Sequence, residues 1–446
     1  MFNSFNFINK SQKEFFKHYG YIVLQNQLTY KIKKNLKSYV QEIELDSLKK
    51  KPKFIHKFEY DSYNQKKLCR TEDLIKHSKI NKILTTGSIT DIVSQMFDKE
   101  AVLYKEKINY KYPNTGLYRA HQDITAYPNS KNHITALINL CPTNKDNGAI
   151  EFSPLCLNNY NNNEVLNHND GVIIQEDLKW TVPINTNFGD IILFDSYIPH
   201  RSYINKSINP RTALYVTYNS IDEGYLRDEY YNMKKETLKN DKISLINHYD
   251  GNIITNNTEH SDYVINYIMN LYETRGHTMY DKHITQLEHA FQTMNIAIEK
   301  NYNEKFQLAC FLHDIGHLLL DEHNNNGDFL EENLHHETIG FNFIAEFFDH
   351  SITYPILSHV TAKKYLCTKD KNYYNNLSDA SKTSFEIQGG YMTAKQMEMF
   401  EKTQYFNSTI KLRQIEDESK NKKINVNKIN YNLHYVKNLI SKYIKI

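Results

Sequence analysis

Cysteine is scarce and unpatterned in this chain. Cys69, Cys141, Cys156, Cys310 and Cys367 are odd in number and never form a C-x-x-C pair, which argues against both a disulfide framework and a zinc ribbon and fits a reduced compartment. A charge of one sign is also missing. Lys and Arg total 54 against 52 Asp and Glu, a formal net charge of +2, so no overall field draws nucleic acid or an anionic membrane surface. No stretch approaches the roughly 20 apolar residues of a bilayer span, and residues 1–6 lack the charged-then-apolar order of an export signal. A cytoplasmic protein acting on a small molecule is expected, with no nucleic acid and no membrane as partner. Internal repeats are absent. The 34 tyrosines reflect a compositionally biased genome and carry no functional weight.

What is present divides in two. At 446 residues the chain is long for one core and comfortable for two. The first half reads as short β-runs at 20–24, 101–104, 134–140, 191–194 and 213–218 between Asn/Gly/Pro loops. One early helix carries Ile32, Leu36, Val40 and Ile43 at helical spacing. This pattern predicts a jelly roll, or double-stranded β-helix, with flanking helices. At Asp250-Gly251-Asn252 and Asn256-Asn257-Thr258 the texture turns polar, and beyond it the apolar period is 3.6, as in an all-α bundle. Domains are therefore expected at 1–255 and 256–446. In the second, Thr285-Gln286-Leu287-Glu288 is a capping box that starts a helix with Leu287, Phe291, Met294 and Ile298 facing a core and His289 in its first turn. Further helices are expected at 306–319, 337–348 and 356–366, and one through Leu433, Val436, Ile440 and Tyr443.

Two sets of metal-type ligands stand out. A mononuclear ferrous oxygenase needs two imidazoles and one carboxylate on one face. His121 and Asp123, two apart on a strand, point the same way, and His200 returns from a distant strand. Residues 15–220 resemble the phytanoyl-CoA dioxygenase family of iron and 2-oxoglutarate-dependent oxygenases. The resemblance is carried by the segment 15–24, His121-Gln122-Asp123, Asn147-Gly148-Ala149-Ile150-Glu151-Phe152-Ser153-Pro154, and His200 with Arg211. It implies one Fe(II) on His121, Asp123 and His200, O2 as co-substrate, and 2-oxoglutarate bound by Arg211 and Ser202, with Lys111 near the keto acid. Ala120 and Pro154-Leu155-Cys156-Leu157 depart from that family's aromatic and P-G-S-H patterns.

The second set is His289, His313-Asp314, His336 and His359, the order of an HD domain. Asp314 can bridge two metals, with His289 and His313 on one and His336 and His359 on the other, all aimed inward from helices. Residues 285–420 resemble the HD-domain mixed-valent di-iron oxygenases that cleave phosphonates. The matching pieces are Thr285-Gln286-Leu287-Glu288-His289, His313-Asp314-Ile315-Gly316-His317, His359-Val360-Thr361-Ala362-Lys363, Tyr365-Leu366-Cys367, Leu377-Ser378-Asp379-Ala380-Ser381 and Ile387-Gln388-Gly389-Gly390. The resemblance implies an Fe(II)/Fe(III) pair that binds a 1-hydroxyphosphonate and breaks its C–P bond with O2. It assigns phosphonate contacts to His317, Lys363, Ser381 and Arg413. Ile415-Glu416-Asp417 replaces the family's W-D-D, so register favours Glu416 as the last ligand and residue type favours Asp417. Tyr280 matches a gating tyrosine, while Lys282 and His283 stand where its glutamate partner belongs.

Together the resemblances imply a bifunctional enzyme. One half hydroxylates C1 of an aminoethylphosphonate, with a primary or trimethylated amine, and the other releases phosphate. Two other readings remain at this point: a metal-dependent phosphohydrolase fused to an unrelated hydroxylase, and a sensor that binds phosphonate without turnover.

Overall fold

Residues 191–195 read Ile-Ile-Leu-Phe-Asp, apolar on both faces of a strand, because the sheet that holds them is covered on both sides. Ile191 and Leu193 enter one core. Ile192 and Phe194 enter another. The computed structural model describes residues 8–158, 161, 163–237, 242–254, 260–280, 284–320, 334–420 and 432–445. The polar segment 256–258, the expected boundary at 255, and Lys282 and His283 lie outside the described residues. The chain forms two compact units, Met1–Glu259 and His260–Ile446.

The first unit has strands β1 (Tyr21–Leu24), β2 (Ile55–Tyr60), β3 (Lys66–Glu72), β4 (Ala101–Lys111), β5 (Leu117–His121), β6 (His133–Asn139), β7 (Ile150–Phe152), β8 (His168–Asn169), β9 (Val172–Ile173), β10 (Ile191–Asp195), β11 (His200–Ser202), β12 (Arg211–Ser220), β13 (Tyr249–Asp250) and β14 (Asn252–Ile253). The larger sheet runs β1-β10-β6-β12-β4-β3-β2-β14, and the smaller runs β7-β11-β5-β9-β8 with β13 beside β5. Paired neighbours are antiparallel throughout, as in a jelly roll. Leu137, Ile192, Phe194, Ala213 and Tyr215 of the large sheet meet Ile150 and Phe152 of the small one. On the outer face of the large sheet lie α1 (Lys10–Tyr19), α2 (Tyr30–Asp46), α3 (Ser78–Thr86) and α4 (Ser88–Phe97), whose Phe16, Leu36, Val40, Ile43, Ile80, Leu84, Ile92 and Val93 pack on Ile108, Ile138, Leu193 and Leu214. Each such side chain fully buried contributes about 1.5–3 kcal/mol. The helix α5 (Arg227–Thr237) completes this unit.

The sequence located one of the flanking helices here, and the described residues form five. The missed α1 has a clear local cause: Asn9 and Gln12 form a reciprocal capping box, and Gly20 closes the helix in the left-handed conformation.

The second unit is helical over its described residues. Its helices are α6 (His260–Arg275), α7 (Gln286–Glu299), α8 (Glu304–Leu312), α9 (Ile315–Leu320), α10 (His336–Ile344), α11 (His350–Lys369), α12 (Lys371–Asn376), α13 (Asp379–Ile387), α14 (Ala394–Glu401), α15 (Phe406–Ser419) and α16 (Leu433–Tyr443). Thr285 and Glu288 do form the reciprocal box at the start of α7. Ile298, expected in the core, is exposed, because the buried face turns instead through His289, Thr293, Ile296 and Ala297. The single helix expected at 306–319 is broken at His313-Asp314 into α8 and α9. Among the described residues no helix is long and apolar enough to cross a membrane.

Candidate metal centres

The first centre is built where β5 meets β11. His121 and His200 are directly paired across these antiparallel strands, so their rings face each other with centroids 4.1 Å apart. Asp123 joins them by a route other than the expected strand alternation. The strand β5 ends at His121, and Asp123 opens a 3-10 turn, Asp123–Ala126. Gln122 between them is fully buried and pins the corner: its Nε2 donates to the Glu164 and Tyr197 carbonyls, and its Oε1 accepts from the Leu166 amide at 2.8 Å. One donor atom from each of His121, Asp123 and His200 lies within 4.8 Å of the others.

The tautomers suit a metal. His121 Nδ1 donates to the Arg119 carbonyl at 2.7 Å, and His200 Nδ1 donates to that of Ile198 at 3.0 Å. Each Nε2 lone pair is thereby left for an ion, the usual second-partner arrangement of ligating histidines. Burial holds both imidazoles below their ordinary pKa, His121 further because His200 adjoins it. Burial raises Asp123, but His200, Lys107 and Lys105 outweigh it and hold the carboxyl well below its usual range. The donor set, two neutral imidazoles and one carboxylate, fits a ferrous ion with open positions.

Arg211 begins β12 opposite Lys111. Its Nη1 donates to the Gly148 carbonyl, while its buried Nε has no hydrogen-bond partner. Lys111 Nζ donates to Ser202 Oγ at 2.8 Å and to the Tyr203 carbonyl at 2.7 Å. Gly148 has φ +71°, and a Cβ there would lie 2.4 Å from the Tyr203 carbonyl oxygen, so glycine is what lets that turn close over Arg211. The result is a buried cationic corner with a spare donor, suited to a carboxylate.

Sequence reasoning missed His248. Its ring lies 4.1 Å from that of His121, with Nδ1 on the Ile246 carbonyl and Nε2 unpartnered. A lone histidine between Asn247 and Tyr249 has no motif that would have flagged it.

The second centre gathers five helical elements around Asp314. Its Oδ2 lies 3.1 Å from His313 Nε2 and 3.5 Å from His289 Nε2, and its Oδ1 lies 3.6 Å from the Nε2 atoms of both His336 and His359. Each carboxylate oxygen therefore faces one histidine pair. His336 and His359 bring their Nε2 atoms within 3.2 Å, close to the roughly 3 Å between adjacent ligands about 2.1 Å from one ion. His313 Nδ1 donates to the Cys310 carbonyl at 2.8 Å and His359 Nδ1 to that of Ile356 at 2.7 Å. The Nε2 atoms of His289 and His313 are buried, and both face the Asp314 carboxylate. Two buried, open-faced donor sets sharing one carboxylate fit two metal ions.

The residue that completes the His289–His313 set is Glu416. Arg413 and Lys420 hold its Oε1 at 2.9 and 2.6 Å, and its buried Oε2 has no partner. Burial would raise this carboxyl, but Arg413 and Lys420 hold it well below its ordinary range. Asp417, the other candidate, is turned away and bound by Arg413 and Tyr373. A one-residue step rotates a helix by about 100°, which separates the two.

The expected phosphonate contacts divide as well. Arg413, one of the residues expected to contact phosphonate, is bonded to Glu416, Asp417 and Tyr373. Ser381 sits in the first turn of α13, capped by Ser378. Lys363 is buried, donates to Ser384 at 2.8 Å, and is pushed down to about 7 by burial and by Arg413. His317 stacks on His336 at 3.9 Å, and Tyr280 stacks on His289 at 3.9 Å.

The position of His336 depends on Gly316. A Cβ at 316 would lie 1.9 Å from the His336 carbonyl oxygen, and one at Gly340 would lie 3.2 Å from the Gly316 nitrogen. The backbones of α9 and α10 touch there.

Comparison with known proteins gives a consistent set of likenesses. The phytanoyl-CoA dioxygenase family profile matches residues 16–213. Methylphosphonate hydroxylase of Gimesia maris is 37% identical over 258 residues, 55% of this chain and 96% of that protein. Hydroxymethylphosphonate dioxygenase of the same bacterium is 40% identical over 159 residues, 36% of this chain and 79% of that one. 2-aminoethylphosphonate dioxygenase of an uncultured bacterium is 32% identical over 240 residues, 52% of this chain and 89% of that one.

Proposed function

The chain belongs to the phytanoyl-CoA dioxygenase family through residues 16–213, and from that premise we propose that this oxidoreductase is a bifunctional enzyme of organophosphonate breakdown. Its first unit hydroxylates the carbon beside phosphorus in a small organophosphonate. O2 and 2-oxoglutarate are consumed, succinate and CO2 leave, and one oxygen atom becomes the new hydroxyl. His121, Asp123 and His200 hold one Fe(II), and the spare donor of Arg211, with Ser202, takes the far carboxylate of 2-oxoglutarate.

The second unit is an HD-domain oxygenase. There the 1-hydroxyphosphonate reacts with O2, the C–P bond breaks, the carbon leaves as a carboxylate and the phosphorus as phosphate. His289, His313 and Glu416 hold one iron, His336 and His359 the other, with Asp314 between them. Iron, when bound at the two centres, supplies the activation of O2. His317 and Lys363 orient the phosphonate oxygens, and Tyr280 covers the His289 side. A product made by one unit is the substrate of the other, and a short connection raises its local concentration.

The observation that carries this reading is the coexistence of two buried donor sets of different type, one with three donors and one shared across a carboxylate, in a chain similar to both a phosphonate hydroxylase and a hydroxyphosphonate dioxygenase. The test uses the full chain with ferrous iron, 2-oxoglutarate and a phosphonate panel, following succinate and phosphate together. His121→Ala is expected to abolish hydroxylation while phosphate release from supplied 1-hydroxyphosphonate persists; His313→Ala stalls at the hydroxylated intermediate. Loss of both activities in either folded variant overturns the two-centre reading. Phosphate release that continues without O2 makes the second unit a hydrolase.

A further inference from the structure

The first unit buries two lysine side chains that, among the described residues, form no ion pair with a carboxylate. Lys105 and Lys107 are 2% and 7% exposed. On β4 they alternate with Ile108 and Tyr110, which face the outer helices, so both lysines project to the side that carries the metal ligands. Among the described residues neither Nζ has a carboxylate within 4.0 Å. Asp123 is nevertheless the charge that Lys105 feels most, and both lysines act on Asp123 in turn. A buried charge is ordinarily paired. Two cations of this kind beside a candidate iron ligand are what an anionic substrate would complete.

Their surroundings are aromatic. Lys105 Nζ lies 4.9 Å from the ring centroid of Tyr127 and 5.3 Å from that of Tyr230, and Lys107 Nζ lies 4.9 Å from that of Tyr215. Tyr127 and Tyr230 stand 6.1 Å apart and nearly perpendicular at 83°. This is the geometry of a cage for an alkylammonium group. Here the cage already contains one, the side chain of Lys105. A substrate ammonium would have to displace it and would meet a second positive charge at Lys107.

The cationic corner assigned to 2-oxoglutarate is elsewhere. Arg211 is paired with Lys111, Tyr215 with Lys107 and Thr217 with Lys105, so along the strand Lys107 stands four residues and Lys105 six residues from that corner, about 13 and 20 Å at the rise of a strand.

We propose that Lys105 and Lys107 seat the phosphonate group of the first unit's substrate, and that Lys105, by filling the Tyr127–Tyr230 cage, restricts this site to compact alkylphosphonates without a cationic headgroup. This rests on the reading of the first unit as a phosphonate hydroxylase. It adds the end of the molecule that is recognised and the class that is rejected.

The experiment measures succinate formation by the full chain with methylphosphonate, 2-aminoethylphosphonate and 2-(trimethylamino)ethylphosphonate. Methylphosphonate is expected to give a kcat/KM at least 100-fold above either amine. In Lys107→Gln the KM for methylphosphonate rises at least tenfold more than the KM for 2-oxoglutarate, and Lys107→Arg recovers part of the loss. In Lys105→Ala the preference over the trimethylated compound narrows at least tenfold, because the cage is emptied. Amines turned over as well as methylphosphonate by the wild type, or a Lys107→Gln effect that falls on 2-oxoglutarate, overturn this assignment alone. If no phosphonate stimulates 2-oxoglutarate turnover, the hydroxylase reading falls and this assignment with it.

Discussion

Asp314→Asn is the sharpest single perturbation of the second unit. The two oxygens of Asp314 each face a different histidine pair, at 3.1 and 3.5 Å on one side and 3.6 Å twice on the other. An asparagine keeps the shape and turns one of those acceptors into an N–H donor, which must then point at two imidazole nitrogens whose lone pairs are meant for an ion. Removing one partner from a buried charged set costs about 3–5 kcal/mol, a factor of roughly 150 to 5,000 in affinity. The loss falls on the second unit alone, because no donor of the first centre belongs to either of the other ligand sets. The assay is iron stoichiometry of the desalted full chain, read with phosphate release from a supplied 1-hydroxyphosphonate. Wild type is expected to hold three irons per chain and the variant one or two, with phosphate release reduced at least 100-fold and hydroxylation kept. Three tightly held irons and full phosphate release in Asp314→Asn would refute the bridging role.

Two further outcomes test the scaffold. Burial raises the half-buried Asp195 to about 6 against the Tyr197 amide that stabilises its ionised form, so the folded state keeps a proton that the unfolded chain loses near pH 4. Stability is therefore lost as pH rises from about 4 to about 6, by up to ~3 kcal/mol for two pKa units and about 1 kcal/mol once partial exposure is allowed for. Asp195→Asn, which keeps the acceptor, should melt higher than wild type at pH 7.5 and equally at pH 4; a lower Tm at pH 7.5 would contradict this. Gly316→Ala must push the His336 carbonyl away from a contact of 1.9 Å, costing about 1–3 kcal/mol or more. The expected result is a lower Tm with reduced iron in the second unit, and unchanged iron there would show that the helix contact does not position His336.

The sequence was most legible where one residue type has one physical use. Histidines beside carboxylates announced both ligand sets, and the Thr285–Glu288 box announced α7. It was least legible where buried charge interrupts an apolar pattern. The strand β4 was expected to stop at Tyr104 and in fact continues to Lys111, because Lys105, Lys107, Asn109 and Lys111 occupy the alternate positions that face inward. Those lysines read as the end of a strand, and they are buried within it. Glu416 and Asp417 were inseparable in sequence because the choice depends on the rotation of α15. His248 was invisible because its neighbour His121 is distant along the chain.

The two halves of the second centre are unequal before anything binds. Glu416 adds its carboxylate to the His289–His313 side only, so that side offers more negative charge and more protein donors than the His336–His359 side. The poorer half is also the wetter one: the side chain of His336 is 12% exposed, while those of His289 and His313 are sealed at 0%. If two ions were held there, the asymmetry of the donors would give the pair a front and a back.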